Sequence, residues 1–510
     1  MSQHPPAVVA IDAGTTGIRS QVVGTDGSVL ATAYRELTQH FPRPGWVEHD
    51  PGEIWMAVRE TAAEATAGVG GRRSIAAIGI TNQRETVVPW DRRTGHPLHR
   101  AVVWQDKRTA AACASLVDAG RQPLVRARTG LVLDPYFSAT KMHWLLAEGG
   151  VEDTAHLCLG TVDSWILWNL TGGAAGPGVF ATDPTNASRT MLFDIAERRW
   201  SGELCDLFGV PTRALAQVLP SAGRFGTVAD GIFAPGSPLA GVPVSGVAGD
   251  QHAALFGQAC VVPGMAKVTY GTGSFVVANA GSTCPEPVDG LLTTLAWDLG
   301  DVGGGEPVAY ALEGSVFASG AAVQWLRDGI GVIDHASDLE PLARSVESSN
   351  GVVVVPAFTG LGSPHWDPLA RGTVTGITRG TSRAHLARAV VGAMAFQVRD
   401  VVEAMSGALV APLSVLRVDG GASVMDLLLQ MQADQTGIPV ERPRSVETTA
   451  RGAAMLAGLA EGVWGSVGDL ADLWAPDARF EAAAPQGEID AASLQWRQAL
   501  ARSRHWAEGG

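Results

Sequence analysis

Two segments of this chain repeat one design. Residues 7–23 read as a buried strand, Ala7 to Ile11, then a polar turn, Asp12-Ala13-Gly14-Thr15-Thr16-Gly17-Ile18-Arg19, then a second strand, Ser20 to Val23. Residues 266–278 read as the strand Ala266 to Tyr270, the turn Gly271-Thr272-Gly273-Ser274 and the strand Phe275 to Ala278. Glycine-bearing turns between apolar runs are hairpin signals. Two such units about 260 residues apart in a 510-residue chain indicate two related halves, and we place the boundary after Gly257, giving domains 1–257 and 258–510.

Composition excludes several alternatives. Hydrophobic residues make up 46% and charged residues 17%, with 62 glycines spread along the length, a profile of an α/β protein with many tight turns. The net charge of −14 comes without a Lys/Arg block that could track a nucleic-acid backbone. The five cysteines form no Cys-x-x-Cys pair, which argues against a zinc site or a disulfide framework and for a reducing compartment. With no leader-like N-terminus and no apolar run long enough to span a bilayer, a cytoplasmic protein is expected.

Helix signals alternate with strands. Asp50-Pro51-Gly52-Glu53 opens a helix over Ile54 to Ala67, so the cluster Glu48-His49-Asp50 reads as a turn and helix cap rather than a metal site. In the second half, Gly351 to Phe358 reads as a strand, Ala384 to Glu403 as a helix and Leu413 to Val418 as a strand stopping at Asp419-Gly420-Gly421. A helix over Met425 to Thr436 closed by Gly437, a strand Ile438 to Glu441 and an Ala/Gly-rich helix Thr448 to Gly458 follow. Gly303 to Gly305 reads as a hairpin tip, and the tail after Ala475 is acidic and Ala-rich.

In open α/β sheets, ligands collect beyond the carboxyl ends of the strands. Four polar clusters stand there: Asp12 to Thr16, Thr81-Asn82-Gln83-Arg84-Glu85 after Ile75 to Ile80, Asp250-Gln251 after Val242 to Val247, and Gly271-Thr272-Gly273. Gly/Thr turns can wrap phosphates through backbone N–H groups, and a nearby Asp can hold Mg2+. Taken singly, each turn reads more readily as a structural hairpin than as a phosphate site; two of them with Asp12 and a third turn at Gly420-Gly421 point to a nucleotide. No Gly-x-x-x-x-Gly-Lys-Ser/Thr is present, so this is not a P-loop. Arg84 and Glu85, side by side in a crevice rather than a surface ion pair, suit adjacent hydroxyls of a polyol, with Trp104 and Phe275 as an apolar wall. Asp250 can cap the helix that follows it and also accept a hydroxyl proton.

Longer motifs then stand out: GITNQRET (79–86), TGLVLDPYFSATK (129–141), TNASRTMLF (185–193), GDQHAALFGQ (249–258), AFTGLGSPHWDPLARG (357–372) and RVDGGA (417–422). With them the chain resembles, from about Val8 to Trp464, the FGGY family of carbohydrate kinases, within the actin, Hsp70 and hexokinase superfamily. The resemblance implies two RNase-H-like domains with an ATP–Mg2+ cleft between them and phosphorylation of glycerol to sn-glycerol 3-phosphate. Carried over by position, it implies a glycerol site of Arg84, Glu85, Tyr136, Asp250 and Gln251 lined by Trp104 and Phe275, with Asp250 as general base. It assigns Asp12 to the metal, Thr15, Thr16 and Arg19 to the phosphates, and Thr272, Gly320, Gln324 and Gly421 to ATP, with Met425 standing where relatives carry an Asn near the adenine. Ala13, Gly17 and His252 are further departures from the family pattern, and none removes a charged catalytic group. A homo-oligomer, dimer or tetramer, is also implied. Enterobacterial members bind fructose 1,6-bisphosphate at a glycine-rich loop with an arginine, whereas Phe225 to Ala266 here contains no Lys or Arg, so that inhibitor is expected to bind poorly. The alternatives are a sister kinase for erythritol, xylulose or another polyol, and a non-catalytic nucleotide-binding regulator of the actin/Hsp70 type.

Overall fold

Seven residues, Ala7–Ala13 (β1), run through the middle of a six-stranded sheet with nearly every side chain buried. The structure, a computed structural model, describes residues 5–69, 74–304, 306–445 and 447–507. The first four residues and Gly305 of the expected hairpin tip lie outside that set. Strand β1 pairs antiparallel with Gly17–Gly24 (β2), which pairs with Val29–Glu36 (β3). On its other side β1 pairs parallel with Ile75–Asn82 (β4). The edge is made by Ala222–Thr227 (β5) and Pro243–Gly249 (β6), giving the order β5-β6-β4-β1-β2-β3.

The second sheet repeats this plan. Met265–Tyr270 (β7), Ser274–Gly281 (β8), Leu292–Asp298 (β9), Val308–Val316 (β10), Val415–Asp419 (β11), Val440–Pro443 (β12) and Pro476–Phe480 (β13) lie in the order β9-β10-β8-β7-β11-β12-β13. Strands β7, β8 and β10 form an antiparallel meander like β1, β2 and β3, and β11 and β12 continue parallel like β4 and β6. Each sheet ends in an antiparallel edge strand, β5 or β13, and β9 is an addition to the second.

Helices follow their local signals. Asp50 caps Pro51–Gly68 (α1), its Oδ1 accepting from the Gly52 amide at 2.7 Å, so Glu48-His49-Asp50 is a turn and cap as expected. The helices Arg383–Ser406, Asp426–Thr436 and Thr448–Ala460 begin within a residue of the expected starts. The expected strand over Gly351 to Phe358 shrinks to Val353–Val355, because Pro356 has no N–H to donate to a ladder. The tail, which composition alone left unassigned, forms β13 and the helix Gln486–Ser503. No described helix is long and apolar enough to cross a membrane.

One helix ties the halves together. Asp250–Gly257 (α2) packs against Thr448–Ala460 (α3), and α3 also lies on β4, β6 and β1 of the first sheet. A Cβ on Gly452 would collide with the Ala253 carbonyl and one on Gly257 with the Thr448 carbonyl, while Gly79 and Gly246 let the sheet approach the α3 backbone. Glycine at these four positions permits backbone-to-backbone contact that any side chain would prevent.

Candidate active site

Strand register brings the first cluster together. Asp12 is level with Thr81, and Thr81 with Ala248, so β1, β4 and β6 end side by side. Asp12, Gln83 to Glu85 and Asp250 therefore leave the sheet at one edge. The loop after β4 is fastened to the turn after β1: the Gln83 amide donates to the Ala13 carbonyl at 2.8 Å and Gln83 Nε2 to the Gly14 carbonyl at 3.1 Å. Glu85 is held at φ 62°, a left-handed conformation uncommon for a residue with a side chain and typical of functional sites.

A buried charge network fills this edge. Arg84, 2% exposed, places Nε 3.1 Å from Asp250 Oδ1 and grips Glu313 with both terminal nitrogens, at 2.6 and 3.1 Å. Arg189, fully buried, donates to Glu85 at 2.7 Å and to Glu313 at 2.9 Å. Burial works against a charge on Glu313, but Arg189 and Arg84 hold its carboxyl well below the usual carboxylate range. In Glu85 burial prevails over the pull of the same two arginines and the pKa is raised. Asp250 keeps a solvent-facing carboxylate, 32% exposed. Its expected capping role is displaced by one residue: Gly249 is the cap and Asp250 the first residue of α2, its Oδ1 accepting from the Gln251 amide at 2.6 Å.

The aromatic wall joins the two clusters. Trp104 donates through Nε1 to Thr15 Oγ1 at 2.9 Å and meets the Tyr136 ring edge-to-face at 5.5 Å. The loop carrying Tyr136 is gripped by Lys141, whose ammonium donates to the carbonyls of Pro135, Tyr136 and Phe137 at 2.6–2.9 Å. Burial lowers that lysine to about 7. Gln251 accepts from buried Lys267, which also donates to Thr269 at 2.7 Å. Phe275 lies opposite Thr269 and Ser315 in the sheet, hence on the face that carries Lys267 and Glu313. Thr16 is exposed at the turn, and Arg19 is ion-paired with Glu447 at the start of α3.

Glycine turns of the second half dock on one another. The Gly320 amide donates to the Gly271 carbonyl and the Ser319 and Ala321 amides to the Thr272 carbonyl, at 2.9–3.0 Å. Gly420, at φ 86°, lies against the Tyr270 backbone, whereas a Cβ on Gly421 would meet nothing within 4 Å. Gln324 is exposed one turn beyond Gly320. Met425 is buried in the core of the second half.

Asp12 fits a magnesium-bound nucleotide by its chemistry. Burial, then the charge of Asp250, raises its carboxyl to about 7, a cost that a cation would relieve. Among the described residues no group of three or more His, Cys, Asp or Glu could hold a metal, and Mg2+ does not need one, since one or two carboxylates, water and substrate phosphates suffice.

Arg189, Glu313 and Lys267 were not legible as site residues. Arg189 sits in TNASRTMLF without a distinguishing signal, whereas Glu313 and Lys267 are lone charges in the apolar strands VAYALEGSV and MAKVTY. A lone charge in a buried strand must find a partner, and that was the available clue.

Residues 7–257 match the model of the FGGY carbohydrate kinase N-terminal domain and residues 266–461 that of the C-terminal domain. The chain is 50% identical to a glycerol kinase of Paraburkholderia phytofirmans over 98% of its own length and 99% of the relative's. A glycerol kinase of Trichlorobacter lovleyi is 51% identical over the same shares. The crystal structure of Plasmodium falciparum glycerol kinase with ADP superposes with a TM-score of 0.91 at 32% identity, covering 98% of both chains. A xylulose kinase of Lactobacillus acidophilus, TM-score 0.86 over 98% of this chain and 97% of that one, shares the fold at 19% identity. With both halves matched, this chain belongs to the FGGY family of carbohydrate kinases.

Proposed function

We propose that the chain transfers the γ-phosphoryl group of ATP to a terminal hydroxyl of glycerol, giving sn-glycerol 3-phosphate and ADP. The observation that carries this reading is the Asp250 carboxylate, partly open to solvent and held 3.1 Å from Arg84 Nε at the end of β6. Glycerol kinases about 50% identical along nearly the whole chain support glycerol as the polyol.

In this reading Arg84, Glu85, Tyr136 and Gln251 hold the hydroxyls, and Trp104 and Phe275 cover the carbon face. Asp250 takes the proton of the terminal hydroxyl while the glycerol oxygen that carried it bonds to the γ-phosphorus and the bond from that phosphorus to the departing ADP oxygen breaks. Thr15, Thr16 and Arg19 bind phosphates, so the Arg19–Glu447 pair yields to the nucleotide. Thr272, Gly320, Gln324 and Gly421 hold the rest of it, whereas Met425, expected near the adenine, is buried in the core and packs beneath this region. Asp12 would hold Mg2+, which supplies charge neutralisation on the phosphates when bound. Catalysis is then mostly positioning and electrostatic stabilisation, because phosphoryl transfer has a loose transition state. Five unpaired cysteines suit a reducing, cytoplasmic setting, and the family likeness leads us to expect a homo-oligomer.

The test is ADP release from ATP with and without glycerol, followed by kcat/KM for glycerol, erythritol and xylulose. Glycerol-dependent ADP release with glycerol as the preferred acceptor is expected. Absence of that dependence, or preference for a larger polyol, would overturn the proposal.

A further inference from the structure

The charged groups at the polyol edge come mostly from the first half of the chain, and two, Lys267 and Glu313, come from the second. Arg84, Glu85, Arg189 and Asp250 leave the first sheet or its loops, whereas Glu313 stands on β10 of the second sheet, 229 residues from Arg84. Its side chain is fully buried, and both oxygens are used: Oε2 accepts from Arg84 at 2.6 Å, and Oε1 accepts from Arg84 at 3.1 Å and from Arg189 at 2.9 Å.

Two guanidiniums buried this close repel one another, and a single carboxylate between them fixes their separation. With its terminal nitrogens clamped, Arg84 has its Nε aimed at Asp250, and with Nη2 clamped, Arg189 has its Nε aimed at Glu85. Strand β10 also leads within seven residues to Gly320, whose amide docks on the Gly271 turn. One strand thus reaches both the polyol edge and the glycine turns.

We propose that Glu313 is a positioning residue for the phosphoryl acceptor: it orients Arg84 and Arg189 so that Asp250 and Glu85 meet the polyol in register, without touching the polyol itself. This rests on the function proposed above. Glu313→Gln keeps the shape of the side chain and removes its charge, leaving the arginines unclamped.

The experiment measures KM for glycerol, KM for ATP, kcat and the thermal midpoint for the wild-type chain, Glu313→Gln and Glu313→Asp. A rise of tenfold or more in the glycerol KM of Glu313→Gln, with the ATP KM within threefold of wild type and a smaller rise in Glu313→Asp, is expected. Should Glu313→Gln not fold, Glu313→Asp carries the same test, because it keeps the charge and draws it back by one methylene. An unchanged glycerol KM in a folded variant would overturn the inference, as would losses on both substrates that merely track the folded fraction. Wild-type protein without glycerol-dependent turnover would instead remove the underlying function, so the two failures are distinguishable.

Discussion

Arg84 Nε lies 3.1 Å from Asp250 Oδ1, although the first residue follows β4 and the second opens α2. Parallel pairing of β4 with β6 makes them neighbours, and the first turn of α2 adds its own positive potential to the carboxylate. The position of this carboxylate is thus set by strand pairing and by its place at the start of α2.

Asp250→Asn should therefore lower kcat by about 10²–10⁴, the usual range for a lost general base, with the fold intact because the amide keeps the size of the side chain. Single-turnover rates at saturating glycerol and ATP check this. Near-wild-type turnover would remove Asp250 from the mechanism.

Asp163 gives a pH signature of stability. Burial raises its carboxyl to about 7, prevailing over the hydrogen bonds that favour its charged form, of which Thr182 donates one at 2.6 Å. Between the unfolded value near 4 and about 7, the folded chain holds a proton here that the unfolded chain has lost. Stability from this group is thus present at low pH and falls as pH rises through the window, by at most about 1.4 kcal/mol per unit. Urea midpoints of Asp163→Asn should lack this decline, so the difference between mutant and wild type grows from pH 4.5 to pH 7.5. A constant difference would contradict the assignment.

Gly452→Ala and Gly421→Ala should behave oppositely. The first drives a Cβ into the Ala253 carbonyl at the α2–α3 contact, and overpacking of this kind costs about 1–3 kcal/mol. A lower thermal midpoint is expected, together with a lower kcat, because α2 carries Asp250. At Gly421 the added methyl meets no protein atom, so the midpoint should hold while the KM for ATP rises. Equal midpoints for both variants would refute the packing argument.

Millimolar fructose 1,6-bisphosphate should leave activity unchanged. The loop between β5 and β6 carries no Lys or Arg, and Arg224 just before it is paired with Glu461. Clear inhibition in a steady-state assay would show a phosphate site elsewhere.

The placement of several candidate site residues at strand ends could be read from the chain. Asp12, Arg84, Glu85 and Asp250 follow apolar runs that are strands, and Asp50-Pro51 starts a helix where the capping pattern puts it. The strand expected at Gly351 to Phe358 was too long because a run of apolar residues does not reveal where Pro356 ends the ladder. The tail escaped because alanine and acidic residues describe a helix and a polar segment equally well.

Backbone preferences and periodicity within a few neighbours set the two strand-turn-strand units and the residues at strand ends, which is why these are legible along the chain. Folding of distant segments onto one another is what brings Glu313 between Arg84 and Arg189, Lys267 to Gln251, and α3 onto the sheet of the other half. Local periodicity says that a side chain is buried and nothing about what it is buried against. Which charges neutralise one another in the interior is settled by the packing of segments hundreds of residues apart.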